Sequence, residues 1–264
     1  MPYVLNNDVR VHYRVAGDGP PMVLIHANPF DHTLWLYQIA HFSTWFRVIA
    51  VDIRGYGRTD KIEEPYALDD MCADVMAVVA EEEAQGAVLM GASVGSKMAL
   101  MLALDHPDAF SAVVLVGGSA GRQPKHFDRR IKGYRAMGPE AYHREHLESL
   151  VAPGFPATRL GDYLLKMQTE KDPALSGAAI ARVFEALADA GVDDRLQQMR
   201  PPVLVVNGEH DTALPRGTET AKAIPGARHV ILKGAGHACN IEDPAAFDTA
   251  VIDFLKSKGL MPTL

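Results

Sequence analysis

The sequence predicts an α/β fold: a mostly parallel central sheet flanked by helices, with a helical segment inserted between two of its strands. Three observations carry this. Short, continuously apolar runs recur along the 264 residues, each bounded by Gly, Pro or Asp. Helical patterns separate them, in the alternation that builds a parallel sheet. The stretch 122–200 breaks that alternation and contains helical patterns but no buried strand.

Taken in order, YVLNN and VRVHYRVAG alternate in polarity, which predicts an antiparallel hairpin at the sheet's edge. The buried runs are PMVLIHA (21–27), RVIAVD (47–52), AVLMGAS (87–93), AVVLVGG (112–118), PVLVVNG (202–208) and RHVILKG (228–234). Val/Ile/Leu runs of this length suit strands covered on both faces. LDDMCADVMAVVAEEEA has apolar residues at helical spacing, with Asp69 and Asp70 in its first turn. SVGSKMALMLALDHP forms a second helix, and PAAFDTAVIDFLKSKG a third that starts near Pro244 and stops at Gly259. In the interrupting stretch, FDRRIKGYRAM, PEAYHREHLESLV, LGDYLLKMQTE and GAAIARVFEALADAG read as helices joined by Gly and Pro. The expected organisation is a core of residues 1–121 and 201–264, with 122–200 as a helical cap lying over the sheet.

Composition narrows the function. A hydrophobic fraction of 48% with 22% charged residues is ordinary for a globular chain. A net charge of −7 repels phosphates, so neither nucleic acid nor an anionic membrane is an expected partner. Cys72 and Cys239 provide neither a disulfide framework nor zinc spacing. The start MPYVLNNDVRVHYRVAG lacks a basic region followed by an apolar one, and no apolar run approaches a membrane span. A soluble cytoplasmic protein is the expectation.

Gly91-Ala92-Ser93-Val94-Gly95 lies between a strand pattern and a helix pattern. In that setting G-x-S-x-G is a sharp turn that exposes the serine hydroxyl at the carboxyl end of the sheet. The flanking glycines are required because a side chain there would collide with the neighbouring strand and helix. A serine hydroxyl needs a general base, and the base needs an orienting acid. Asp211 follows the strand pattern PVLVVNG, and His237 follows RHVILKG. Both positions are strand ends, where open α/β sheets place their sites. Ser93 is thus expected to be the nucleophile, His237 the base and acid, and Asp211 the residue that orients His237. The expected oxyanion donors are the backbone N–H groups of Val94 and, because Pro29 has none, Asn28. Phe30, Met137, Phe184 and Leu214 are candidates to line the substrate pocket.

The stretches HANPFDHTLW (26–35), DIRGYGRTD (52–60), GASVGS (91–96), GEHDTALP (208–215) and GAGHACNIEDP (234–244) occur in an order that resembles the α/β-hydrolase fold family. The resemblance covers nearly the whole chain. It implies a serine hydrolase without metal or organic cofactor, and structural roles for Asp52, Arg54 and Gly57. His237-Ala238-Cys239-Asn240-Ile241-Glu242 is similar to the H-x-x-N-x-E of the carboxylesterase and enol-lactonase branch. The resemblance therefore implies a small ester or lactone as substrate, cleaved through an acyl-enzyme. Two other readings share the same residues. One is a cofactor-free carbon–carbon hydrolase, perhydrolase or lyase, and the other is a small-molecule sensor or receptor with weak hydrolase activity.

Other residues are given plainer roles. His26 braces the oxyanion loop. His143 and His146 are three apart and lack ligand companions, so they read as solvated polar residues rather than a metal pair. Cys239 reads as a packing residue. Met137, Phe155, Tyr163, Met167 and Phe184 are expected to face the sheet. An inward Arg129, Arg130, Arg135, Arg159 or Arg182 would favour a substrate bearing a carboxylate.

Overall fold

The computed structural model describes residues 2–263. In chain order the elements are β1 (Tyr3–Asn6), β2 (Val9–Ala16), β3 (Pro21–Ile25), α1 (Leu36–Phe42), β4 (Arg47–Val51), α2 (Leu68–Glu81), β5 (Ala87–Ala92), α3 (Val94–Asp105), β6 (Phe110–Val116), α4 (Pro124–His146), α5 (Arg159–Thr169), α6 (Gly177–Ala188), β7 (Val203–Gly208), α7 (Leu214–Ala223), β8 (Arg228–Leu232), α8 (Cys239–Glu242) and α9 (Pro244–Ser257). The strands form one eight-stranded sheet in the order β1-β2-β4-β3-β5-β6-β7-β8. β1, β2 and the β2–β4 pairing are antiparallel, and every other pairing is parallel.

The unbroken apolar runs follow from this burial. Along β3, Val23 and Ile25 enter one hydrophobic layer while Met22 and Leu24 enter the other. In β7, Val203 and Val205 face the first layer and Leu204 and Val206 the second. With both faces covered, polar alternation would bury unpaired groups.

The elements between β6 and β7 are helical, as the pattern predicts. α4 breaks at Gly138, whose φ of 74° and ψ of 170° are not helical, with Pro139 next. α5 buries Gly161, Leu164 and Gln168. Tyr163 lies off that face and is 65% exposed, and Met137 is exposed just before the break in α4. The expectation that these two face the sheet is therefore corrected. Phe184 is buried, and Phe155 and Met167 pack half-buried against the second layer. No helix among the described residues is long and apolar enough to cross a membrane.

Candidate active site

A cavity opens at the carboxyl ends of β3, β5, β6, β7 and β8. Asn28, Ser93, Val94, Gly117, Thr212, Ala213 and His237 line it from the strand ends. His126, Phe127, Arg130, Leu150, Phe184 and Leu187 line it from the helical segment.

Ser93 has φ 51° and ψ −106°, a left-handed backbone that few side-chain-bearing residues adopt. Neighbouring backbone forces that conformation. A Cβ on Gly91 would lie 2.2 Å from the Gly95 carbonyl oxygen, and one on Gly95 would lie 2.3 Å from that of Ile25. The elbow thus sits against the end of β3, which brings Val94 and Asn28 to one cavity. Ser96 fastens the turn to β6: its hydroxyl lies 2.7 Å from the Gly91 carbonyl oxygen and accepts from Val116 N–H at 3.0 Å. Among the described residues the Asn28 and Val94 backbone N–H groups have no acceptor within the chain. They are left open to an incoming hydrogen-bond acceptor.

His237 Nδ1 lies 2.8 Å from Asp211 Oδ1. The same oxygen accepts from Ala213 N–H at 2.7 Å, and Oδ2 accepts from Asn207 Nδ2 at 2.8 Å. Burial alone would raise the Asp211 carboxyl pKa. The adjacent imidazole and these donors outweigh burial and hold it below the ordinary value. The carboxylate stays charged, keeps the Nδ1 hydrogen in place and leaves Nε2 as the basic nitrogen. A Cβ on Gly117 would lie 2.9 Å from the His237 ring, so this glycine makes room for it. Among the described residues the Ser93 hydroxyl forms no hydrogen bond, to His237 or otherwise.

The H-x-x-N-x-E stretch has a mechanical role. Glu242 accepts from Gly236 N–H at 2.9 Å and from Ala152 N–H at 2.7 Å. It clamps the loop before His237 to the helical segment. Asn240 donates to the Leu34 carbonyl at 3.1 Å. His26 Nε2 accepts from Ile53 N–H at 3.0 Å, and its Nδ1 lies 2.9 Å from the Ala27 carbonyl oxygen, a brace under the loop that carries Asn28.

Of the pocket candidates, Phe184 lines the cavity, whereas Phe30, Met137 and Leu214 are not among its lining residues. Of the arginines, Arg130 lines it, while Arg135 and Arg182 both pair with Glu185. Sequence reasoning missed Lys97, Arg216 and His126. Lys97 is one helical turn beyond Ser93 and donates to the carbonyls of Ala120, Gly121 and Ala190 at 2.6, 2.7 and 3.1 Å. Burial lowers its pKa to about 8, which leaves it charged at neutral pH. Burial, then Arg130 and Arg216, lower the pKa of His126 to about 4, so it is neutral. Its Nε2 accepts from Arg130 Nε at 3.1 Å.

One expectation outside the cavity changes. His143 is buried, not solvated. His12, His32 and Asp52 cluster with their ligand-type atoms within 4.8 Å of one another. The Nδ1-to-carboxylate distances of 2.7 and 2.8 Å are those of hydrogen bonds, and the backbone N–H groups of His32 and Arg58 complete four donors on Asp52. The cluster ties the 52–59 turn to the sheet. Cys239 is buried in the second layer.

Comparison with known proteins agrees with this architecture. The family model described as alpha/beta hydrolase fold matches residues 20–244. The 3-oxoadipate enol-lactonase 2 of Acinetobacter baylyi is 28% identical, over 94% of this chain and 94% of that one. A Caulobacter sp. (strain K31) protein named as the carbamate hydrolase RutD is 28% identical over 94% of this chain and 95% of its own. The crystal structure of the enol-lactonase from Burkholderia xenovorans LB400 superposes with a TM-score of 0.91 at 29% identity, covering 97% of this chain and 100% of that one. The chain belongs to the α/β-hydrolase fold family, as an enzyme of its esterase- and enol-lactonase-like branch.

Proposed function

We propose that the protein is a serine hydrolase that cleaves a small carboxylic ester or lactone through an acyl-enzyme. The observation that carries this reading is the shared cavity. Ser93, a His237 ring anchored on Asp211, and two open backbone N–H groups all border it. Ser93 Oγ attacks the carbonyl carbon while His237 Nε2 takes the hydroxyl proton. Asp211 stabilises the resulting imidazolium. The N–H groups of Asn28 and Val94 hold the tetrahedral oxyanion. As it collapses, His237 passes the proton to the departing alkoxide. In a lactone the freed alcohol stays on the acyl chain. Water, deprotonated by His237, then attacks the ester carbon, and the proton returns to Ser93. This route draws on neither metal nor organic cofactor.

Residues 122–200 serve in this reading as the cap that closes the cavity and selects what enters. Arg130 and Arg216 line it with Lys97, and none of the lining residues among those described is Asp or Glu. Arg130 is stacked on Phe184, 5.5 Å from the ring centroid, and its Nε is used by His126. Its terminal fork remains for a planar anion. These groups support a substrate that carries a carboxylate besides the scissile bond.

The test is a fluorophosphonate probe with mass-spectrometric mapping, together with a panel of esters, lactones and a carbamate, each with and without an acid group. Labelling at Ser93 that disappears in Ser93→Ala, with turnover of at least one panel member, is the expected result. Turnover that survives Ser93→Ala would overturn the mechanism. Labelling without any turnover would move the reading to a ligand-binding sensor.

A further inference from the structure

A second set of buried polar residues reaches the cavity from the helical segment, and the catalytic sequence above does not use it. Asp172 Oδ1 lies 2.7 Å from His143 Nδ1. His143 Nε2 lies 2.8 Å from the Tyr134 hydroxyl. That hydroxyl donates to Asn28 Oδ1 at 3.0 Å, where Tyr56 also donates at 2.6 Å. Every member is nine-tenths buried or more. The line runs from the 3-10 turn at Asp172–Ala174 through α4 to the loop after β3.

The hydrogens along this line can be counted. Tyr134 has one, and burial raises its phenol pKa, so it keeps that hydrogen. It gives it to Asn28. His143 Nε2 flanks the same phenol oxygen at 2.8 Å. Nδ1 already faces a carboxylate. Asp172 thereby fixes the ring, and the ring holds the phenol in place. A buried polar line placed this way is a costly means of holding two helices together. It is an effective way to aim one hydroxyl. The target is the side chain of a residue that lines the cavity and whose backbone N–H has no acceptor among the described residues. No other hydrogen-bond partner of that side chain is present among the described residues, so the two hydroxyls fix its rotamer, and with it the tilt of the peptide.

We propose that Asp172, His143 and Tyr134 are positioning residues that aim the Asn28 N–H at the oxyanion, so that the helical segment completes the oxyanion hole. This rests on reading Ser93 as nucleophile and Asn28 as oxyanion donor. A loosened donor weakens transition-state stabilisation and leaves ground-state binding intact.

The experiment follows the rate at which a fluorophosphonate phosphonylates Ser93, a reaction that builds negative charge on the phosphoryl oxygen and requires no known substrate. Tyr134→Phe keeps the ring, which stacks on Phe184 with centroids 5.9 Å apart, and removes only the hydroxyl. It should slow labelling about 10-fold, a fraction of the cost of deleting a donor outright. Asp172→Asn should slow it by a similar factor. Tyr142→Phe, on a neighbouring ring 4.2 Å from Tyr134, should leave the rate unchanged. Asn28→Ala retains the backbone N–H but loses the anchor. In that background Tyr134→Phe should add nothing, whereas a purely structural tyrosine would cost the same again. Thermal unfolding confirms that each variant is folded. Equal labelling of folded Tyr134→Phe and wild type overturns the proposal alone, as does full additivity with Asn28→Ala. A wild-type chain that resists the reagent overturns the nucleophile reading and this proposal together.

Discussion

The two walls of the cavity are built differently. On the strand-end wall, position is set by backbone against backbone: the Gly91 and Gly95 approaches leave no room for one methyl group. On the helical wall, position is set by side chains: the Asp172–His143–Tyr134 line, the stacked Arg130, and the Glu242 clamp to Ala152. In the proposed mechanism the reacting atoms come from the wall that cannot shift, and Arg130, suited to choosing a substrate, comes from the wall that can be repacked. Chemistry requires placement to within fractions of an ångström, which a packed sheet provides. Selection tolerates more.

The sharpest way to break this contrast is a pair of single methyl additions. Gly95→Ala would place its Cβ against the Ile25 and His26 carbonyl oxygens. It should cost more than about 3 kcal/mol of stability and abolish activity, because backbone has to move. At Gly121, beside the helical wall, a Cβ would meet nothing nearer than 4.0 Å. Gly121→Ala should leave urea unfolding and labelling close to wild type. Equal damage from both would mean that the walls do not differ.

Next in size is Asp211→Asn. The carboxylate holds the ring by a 2.8 Å bond and is itself held by two further donors. An amide can keep the geometry but presents the wrong hydrogen to Nδ1. The turnover number should fall about 10⁴-fold with thermal stability nearly unchanged. A loss below about tenfold would remove Asp211 from the triad and shift attention to another acid.

A smaller and more selective effect is expected on the helical wall. Arg130→Gln should raise KM about 10- to 100-fold for panel members that carry an acid group, the worth of a charge-assisted pair. Neutral esters of the same shape should be unaffected. A uniform rise across the panel would assign Arg130 to packing alone.

The same contrast explains what could be read from the sequence. The strand-end wall was legible because its signals are local. Gly91, Ser93 and Gly95 lie within five residues, and Asp211 and His237 each follow an apolar run that ends in glycine. The strands were found because burial on both faces forbids polar residues. The helical wall was not legible. Tyr134, His143 and Asp172 belong to different turns and elements, and no spacing links them. His143 sits in a mostly polar helix, so pattern alone gives it to solvent; its burial depends on the fold of the segment. Tyr163 and Met137 differ for the converse reason: an apolar residue in an amphipathic helix says nothing of which face turns inward until its neighbours are known. Lys97 carried a usable signal, a charged residue one turn past the elbow serine in an otherwise apolar helix.

The smallest effect concerns two buried carboxylates, one behind each wall. Asp52 receives four hydrogen bonds, whereas Asp172 receives one and its other oxygen has no partner among the described residues. Burial would raise the Asp52 pKa. The bonds from His12 and His32 and the nearby imidazoles outweigh it and hold it well below the ordinary value. The folded chain therefore keeps Asp52 charged at pH values where the unfolded chain, titrating near about 3.9, takes up a proton. The stability that this carboxylate provides is complete above about pH 5 and is lost as the pH falls through the ordinary value toward the lower folded one. Asp52→Asn should be less stable than wild type at pH 7, and the gap should close at up to about 1.4 kcal/mol per pH unit below pH 4. Urea midpoints of the two proteins between pH 3 and pH 7 measure that gap. If it stays constant across the range, Asp52 acts by shape and not by charge, and the strand-end wall owes its rigidity to backbone contacts alone.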